Sequence, residues 1–387
     1  MSSKKILFDL RKCQPIGSIK FHGGGAYGCV IFEQLCKTAP DSIIAYWDSS
    51  KFLEPSIKKL LDDKDILTID AKNIELNSVF DKNIAIFYSP LFDENYINLI
   101  PSHIPIFVTI HGLRKIEMNR DSYEIKYATT FKEKIKCLLK RTFLFNALNR
   151  KFYNEYVPFL KKENVNVITV SNHSKYSLLY HYPFLKKDQI NVFYSPSTTT
   201  ICVENISPYP LKKYYLIISA DRWLKNGLRA IKALDLLYEK GSLTDENVVV
   251  VGLPAKNNLK NSIIHKDRFI IKDYVSKEEL ESLFKGAYAL IYPSLNEGFG
   301  YPPLEAMKYG TPVIASPFSS IPEVCADSVL YANPYSIDEI AMRIQYINEK
   351  SVHDKYTVYS KERYAFITQK QNADLQMMVD LLLEKTK

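Results

Sequence analysis

The sequence predicts an α/β protein built from two doubly wound domains, each with a parallel sheet, and three observations lead there. Short apolar runs alternate with helical stretches along nearly the whole chain, which is the rhythm of βαβ units. A polar stretch with two prolines, ENISPYPLKK at residues 204–213, breaks that rhythm once and marks a linker. The chain has 387 residues, 46% hydrophobic and 24% charged, enough for two domains that each bury a core.

The first series of strand-like runs is KKILFDL, DSIIAYW, KNIAIFYSP, IPIFVTIHG, VNVITVS and INVFYSP. Their near-continuous apolar character suits strands covered on both faces. The second series is YYLIISA, a helix from Asn226 to Lys240, then NVVVVG, RFIIKDYV, YALIYPS and PVIAS. SKEE at 276–279 and SIDE at 336–339 are capping boxes that open helices. From Asp354 a helical tail runs to LQMMVDLLLEKTK. The expected domains are therefore 1–205 and 206–368, with a C-terminal helix, 369–387, packed back on the first. No repeat or low-complexity tract occurs.

Composition narrows the function classes. The six cysteines (Cys13, Cys29, Cys36, Cys137, Cys202 and Cys325) form neither a C-x-x-C pair nor a His/Cys cluster, so neither a zinc site nor a disulfide framework is expected. Reduced cysteines fit a cytoplasmic protein. The apolar stretch from Ile6 to Leu10 is broken by Asp9 and is too short for a signal peptide or a spanning helix.

The net charge of +8 is concentrated between Lys132 and Lys151, where Lys132, Lys134, Lys136, Lys140, Arg141, Arg150 and Lys151 face Glu133 alone. Phe131, Ile135, Leu138, Leu139, Phe143 and Ala147 fall at helical spacing among them. This basic amphipathic segment, 131–151, either packs its apolar stripe on the core, as most amphipathic helices do, or contacts an anionic membrane at the cytoplasmic face, and its dense cations make the membrane the expectation. No nucleic-acid-binding motif accompanies it, so nucleic acid is not an expected partner.

The most informative stretch is ALIYPSLNEGFGYPPLEAMKYGTPVIAS. Ala289 to Tyr292 and the PVIAS run read as neighbouring buried strands. Pro303 holds Pro302 extended and is itself the expected first helical residue, which puts Glu305 in the first turn. Gly310 closes the helix as a left-handed cap after barely two turns. Unpaired N–H groups then face the carboxyl edge of the sheet, where a phosphate is favoured, and Gly298 and Gly300 allow it close to the backbone. Singly, Glu297 and Glu305 read as a loop carboxylate and a helix-start carboxylate. Together they are acceptors for sugar hydroxyls on either side of a phosphate-ready backbone. A nucleotide sugar has that layout.

Arg222 and Lys225, in DRWLKN just past YYLIISA, lie on the same edge and are expected to clamp a leaving diphosphate. His111 ends the IPIFVTIHG run, where a parallel sheet offers its ligand crevice, and Arg114 and Glu117 follow it. FHGGGAYG holds a literal G-x-G-x-x-G at Gly23, Gly25 and Gly28, with Asp48 twenty residues on, so a nicotinamide-dependent oxidoreductase is the rival reading. In that motif the glycines follow the strand directly, whereas about a dozen residues separate Leu10 from Gly23. The expectation is instead a long glycine-rich loop whose Gly24 and Gly25 approach a pyrophosphate or an acceptor. Asp63-Lys64-Asp65 has the spacing of a metal–diphosphate motif, but it follows KKLLD and reads as an acidic helix end.

Taken together, these stretches resemble the retaining glycosyltransferases of family 4. EGFGYPPLEAMKYGTPVIAS followed by IPEV is similar to the family's E-x7-E donor motif, with Glu297 and Glu305 at its spacing, and GGGAYG, TIHGLRKIE, SNHSKYS and the KN of DRWLKN also have counterparts. The resemblance covers essentially the whole chain. It departs from the family at Arg222 and Lys225, which stand three residues apart where many members space the pair by five or six.

The resemblance implies the GT-B fold, two facing Rossmann-like domains with a ligand cleft between them. It implies that Glu297 binds hydroxyls of the transferred sugar, Glu305 the ribose, and Arg222 and Lys225 the diphosphate. Backbone groups of Gly298, Phe299 and Gly300 would hold phosphate and sugar oxygens, His111 would line the sugar pocket, and Tyr274 and Val275 would lie along the base. No metal and no further cofactor is implied. The donor that the EGFGYPPLEAM context resembles most is GDP-mannose, and the implied acceptor is a saccharide or lipid-linked saccharide of a bacterial surface polysaccharide. A GT-B scaffold without turnover is the remaining alternative.

Overall fold

The computed structural model describes residues 4–17, 22–81, 83–118, 120–142, 144–198, 206–254 and 258–386. Phe143, Cys202 and the boundary at 205 lie outside the described residues. The chain forms two compact units: one holds residues 1–113, 151–200 and 368–387, the other 114–150 and 201–367.

The first unit is built on seven parallel strands: β1 (Lys5–Asp9), β2 (Ile43–Trp47), β3 (Leu67–Asp70), β4 (Ile84–Ser89), β5 (Ile106–Thr109), β6 (Val165–Thr169) and β7 (Ile190–Val192). Their order is β3-β2-β1-β4-β5-β6-β7. Six of these are the predicted apolar runs. The seventh, β3, is an edge strand, exposed along half its length, and its sequence LTID lacks the apolar continuity that betrays a central strand. Phe8, Phe32, Phe87 and Phe107 fill the core of this unit.

The second unit has six parallel strands: β8 (Tyr214–Ile217), β9 (Asn247–Val251), β10 (Phe269–Lys272), β11 (Ala289–Tyr292), β12 (Val313–Ala315) and β13 (Leu330–Tyr331), in the order β10-β9-β8-β11-β12-β13. Only β13, two residues long, went unpredicted. The helix Gly227–Glu239 lays Leu228, Ile231 and Leu234 on the core that the sheet lines with Ile217, Val250, Ile291 and Ile314. Ser276 and Ser336 cap their helices by accepting from the N–H groups of Glu279 and Glu339.

The compact units differ from a division at residue 205, because segment 114–150 goes with the second sheet. The side chains of Asp121 and Arg229 explain this. Arg229 donates to both carboxylate oxygens of Asp121, at 2.7 and 3.0 Å, and Trp223 Nε1 donates to the same group at 2.7 Å. The Arg229 guanidinium also lies 3.8 Å from the Tyr123 ring centre. At the other end, the 35-residue helix Lys350–Glu384 belongs to the second unit through Ile367 and to the first from Thr368. In the first unit Asp374 accepts from the Tyr194 N–H at 2.8 Å, and Met378, Val379 and Leu382 are buried.

Two local expectations are corrected. The glycines of FHGGGAYG do not form a loop: they open the helix Gly23–Thr38, capped by His22, whose Nδ1 accepts from the Gly25 N–H at 2.9 Å. Glycine costs helix stability, but here it lets the helix pack closely, since a Cβ on Gly28 would fall 2.5 Å from Cys13 Sγ and 2.8 Å from Pro90. The helix after β11 starts at Tyr301, with Pro302 and Pro303 both inside its first turn rather than Pro303 leading. First-turn N–H groups have no intrahelical partner, so two prolines there remove no bond. That helix ends at Met307, and Gly310 takes the predicted left-handed conformation at φ 79°.

Candidate active site at the switch point of the second sheet

In the second sheet β8 sits between β9 and β11, so the chain reverses its direction of travel at the β8–β11 seam. Open parallel sheets bind ligands at the carboxyl end of such a switch point. Two loops leave the sheet there: 218–226 after β8 and 293–300 after β11. Asn226, left-handed at φ 58°, ties them together by donating to the carbonyls of Pro293 (3.1 Å) and Pro334 (2.6 Å).

These loops bring Lys225 against Glu297. The Lys225 ammonium donates to Glu297 Oε1 and to Tyr292 OH, both at 2.5 Å. Tyr292 OH and Ser294 Oγ donate to the same carboxylate oxygen, each at 2.6 Å. Lys225 and Glu297 are only 8% and 5% exposed. Burial opposes the charge on Glu297, but the Lys225 ammonium, then Arg114, then the hydrogen bonds from Lys225 and Ser294 outweigh it and hold its pKa at about 2. Burial lowers the pKa of Lys225, against the pull of Glu297. The carboxylate is thus ionised, with three donors on Oε1, while among the described residues Oε2 faces the Arg114 guanidinium alone, at 3.8 Å. Two of the ammonium's three protons are used.

Backbone order follows from the serines. Glu297 N–H donates to Ser319 Oγ at 2.8 Å, and Ser320 Oγ donates to the carbonyls of Glu297 and Phe299 at 3.0 and 2.9 Å. Gly298, Phe299 and Gly300 are buried beneath this clasp, and Gly300, at φ 107°, turns the chain into the short helix. Glu305 lies one turn further on. It is part-buried. Burial first, then the neighbouring Glu281 carboxylate, raises its pKa to about 7, against Lys225 and Lys308.

Arg222 is exposed, and its guanidinium makes no side-chain hydrogen bond or ion pair among the described residues. Tyr274 and Val275 border a cavity of about 320 Å³ at the carboxyl ends of β8, β9 and β10, floored by Ile218, Val251 and Leu280 and edged by Asp221 and Asp273. A larger cavity of about 770 Å³ opens in the first unit near the amino-terminal ends of β4 and β5, beside His103 and Pro105. It is at the wrong edge of its sheet for a ligand of this fold class.

In the first unit, His111 follows β5 and its Nε2 lies 3.0 Å from the Pro90 carbonyl, an acceptor, so Nε2 carries the proton. The ring meets Tyr27 edge to face at 4.7 Å. Gly24 and Gly25 lie in the first turn of the helix Gly23–Thr38, not in a loop. Asp48, needed by the dinucleotide reading, is engaged locally: it accepts from the N–H and hydroxyl of Ser50 and pairs with Lys51 at 3.2 Å. Asp63 ends the helix Pro55–Asp63, and Asp65 is left-handed.

Sequence reasoning missed Tyr292, Ser294, Ser319 and Ser320, noted Asn226 only as a helix start and as part of the KN pair, and gave Arg114 no definite role. Tyr-Pro-Ser directly after a predicted strand was the available signal for the first two. Nothing local marks the others, whose partners are distant in sequence.

Residues 204–365 match the family described as glycosyl transferases group 1. The O-antigen chain mannosyltransferase RfbU of Salmonella typhimurium is 32% identical over 187 residues, 46% of this chain and 51% of that protein. O-antigen chain mannosyltransferase B of Escherichia coli is 46% identical over 71 residues, 18% of this chain and 19% of that protein. The chain thus matches about half or less of these relatives' own length. A glycosyltransferase of Rickettsia africae ESF-5 superimposes over the full length of both chains with a TM-score of 0.64 at 16% identity. The segment that carries Lys225, Glu297 and Glu305 is thus the part that matches the glycosyl transferases group 1 family, on a chain whose pair of parallel sheets has the fold of a glycosyltransferase.

Proposed function

We propose that this protein transfers a hexose, mannose, from a nucleoside-diphosphate sugar to a saccharide or lipid-linked saccharide acceptor during assembly of a surface polysaccharide, with retention of configuration and without a metal. The observation that carries the proposal is the buried Lys225–Glu297 pair, which leaves one carboxylate oxygen toward Arg114 and one ammonium proton for a ligand at the switch point. Glu297 Oε2 accepts a hydroxyl of the sugar, and Lys225 and Arg222 meet the diphosphate. Glu305, whose carboxyl has no hydrogen-bond partner among the described residues, accepts from the ribose. Mannose and the polysaccharide context are supported by the names of the two relatives.

The base is guanine in this reading. The Asp221 and Asp273 carboxylates at the cavity edge suit a base that offers N1–H and an amino group side by side, whereas uracil offers one donor between two acceptors. Val275 and Leu280 supply the apolar face.

Two carboxylates flanking the scissile bond would define a glycosidase pair, but here Glu297 and Glu305 serve different ends of the donor. The C1–O bond to the diphosphate breaks as the acceptor oxygen bonds to C1 on the same face, and the acceptor's proton passes to the departing phosphate oxygen. Lys225 and Arg222 stabilise the charge that develops there, so the protein contributes positioning and electrostatics. A screen of nucleotide sugars for hydrolysis and transfer tests this. GDP-mannose is expected to be consumed, and activity is expected to survive EDTA. Binding of NAD(H) without sugar transfer would favour the oxidoreductase instead, and loss of transfer with EDTA, restored by Mn²⁺, would overturn the metal-free scheme.

A further inference from the structure

The helix Phe131–Lys140 presents its apolar side outward. At about 100° per residue, positions 131, 135, 138 and 139 share one side and positions 137 and 140 the opposite one. The second side is the packed one: Cys137 is buried, and Lys140 pairs with Glu124 of the neighbouring turn. The first side is bare, with Phe131 79%, Ile135 41%, Leu138 50% and Leu139 46% exposed. Four large apolar side chains contiguous on a soluble surface mark an interaction face.

Charge identifies the partner. Lys132 and Lys136 flank the bare side on one edge, Lys134 and Arg141 on the other. The one acid in the helix, Glu133, is consumed by the cap: its Oε2 accepts from the N–H groups of Thr129 (2.8 Å) and Thr130 (3.1 Å), while its own N–H donates to Thr130 Oγ1 (3.2 Å). The rim is therefore wholly cationic. A second copy would set like charges against each other, whereas an anionic bilayer surface pairs with the rim and takes up the apolar stripe. We infer that this helix lies in the headgroup–acyl boundary of an anionic membrane, with Phe131, Ile135, Leu138 and Leu139 inserted and the lysines reaching up to the phosphates. Among the described residues no helix is long and apolar enough to cross a membrane, so this is attachment to a surface. The inference uses the second unit alone and does not depend on the transfer reaction.

The test is co-sedimentation of the full chain with vesicles of phosphatidylcholine alone or mixed with phosphatidylglycerol, at low and high salt. Binding to the mixed vesicles, weakened by salt, is expected. Lys132→Glu, Lys134→Glu and Lys136→Glu together should weaken it by about a hundred-fold or more, at roughly five-fold per cation near the surface. Phe131→Ser with Leu138→Ser should abolish it, and because both side chains are exposed, the circular dichroism and melting temperature should stay those of the parent chain. No sedimentation with anionic vesicles, or binding that survives both sets of substitutions, overturns the inference. So does a dimer that Phe131→Ser dissolves in the absence of any vesicle binding.

Discussion

Replacing Glu305 by glutamine is expected to have opposite effects on ligand binding and on stability at pH 8. The carboxyl titrates at about 7 in the folded chain against an ordinary value of 4.5, through burial first and the Glu281 carboxylate second. The folded state therefore holds the proton more tightly than the unfolded state between those values. Stability falls as pH rises through that window, and the cost is complete above pH 7. A difference of that size corresponds to on the order of 3 kcal/mol, and partial solvent contact reduces it to about 2. Glu305→Gln removes the cost, so the variant should melt several degrees higher than the parent at pH 8 and at the same temperature at pH 4.

Binding should move the other way, because a ribose hydroxyl needs the ionised carboxylate. With a pKa near 7, about a tenth of the sites are ionised at pH 6 and about nine-tenths at pH 8, so GDP affinity should rise by roughly ten-fold between them. Calorimetry in buffers of different ionisation heat should find about half a proton more released at pH 7 by the parent chain than by the variant. That difference cancels the ligand's own phosphate titration. At pH 8 the variant should bind at least about ten-fold more weakly, the worth of a charged hydrogen bond. Equal GDP affinity, an unchanged pH step in Glu305→Gln, or a lower melting temperature at pH 8 would refute the reasoning.

Lys225→Ala should cut turnover by about a hundred-fold or more while moving KM less, since a fixed ammonium acts most strongly on the charge of the departing diphosphate; steady-state kinetics on GDP-mannose decides it, and a pure KM effect would return Lys225 to ground-state binding. Arg229→Ala strands the Asp121 carboxylate in a buried position and should cost about 3–5 kcal/mol in denaturant unfolding. Adding Asp121→Leu should recover most of that loss, and a simple sum of the two single losses would mean that the pair does not anchor segment 114–150.

How much of this was legible beforehand depended on how local its cause was. Eleven of the thirteen strands among the described residues announce themselves as apolar runs, because a strand covered on both faces must be apolar whatever its neighbours are. Edge strands are freer of that demand: β7 and β10 keep an apolar run, but β3 is exposed along half its length and β13 has only two residues. Gly310 declared a left-handed residue after the helix, and the glycines and prolines between Glu297 and Glu305 declared a loop that enters a short helix, since both depend on residues within one turn or loop. The glycines of the Gly23–Thr38 helix misled for the complementary reason: alone they signal a loop, and only Leu91 packed against Gly24, and Cys13 and Pro90 packed against Gly28, show why the helix needs those two small.

What the tertiary structure decided are the pairings between residues far apart in the chain. Lys225 and Glu297 are 72 positions apart, Asp121 and Arg229 are 108 apart, and no periodicity or spacing specifies either match. The sequence supplied charges at strand ends, which is as far as local chemistry reaches. Which of them lose their water, and therefore which titrate at about 2 or about 7, depends on the strand order of the second sheet, because β8 and β11 must lie side by side before Lys225 can hold Glu297 ionised. The same holds for the helix Phe131–Lys140. Its amphipathic pattern is written in the sequence, but a stripe facing a core and a stripe facing outward have the same periodicity, and only the burial of Cys137 on the opposite side tells them apart.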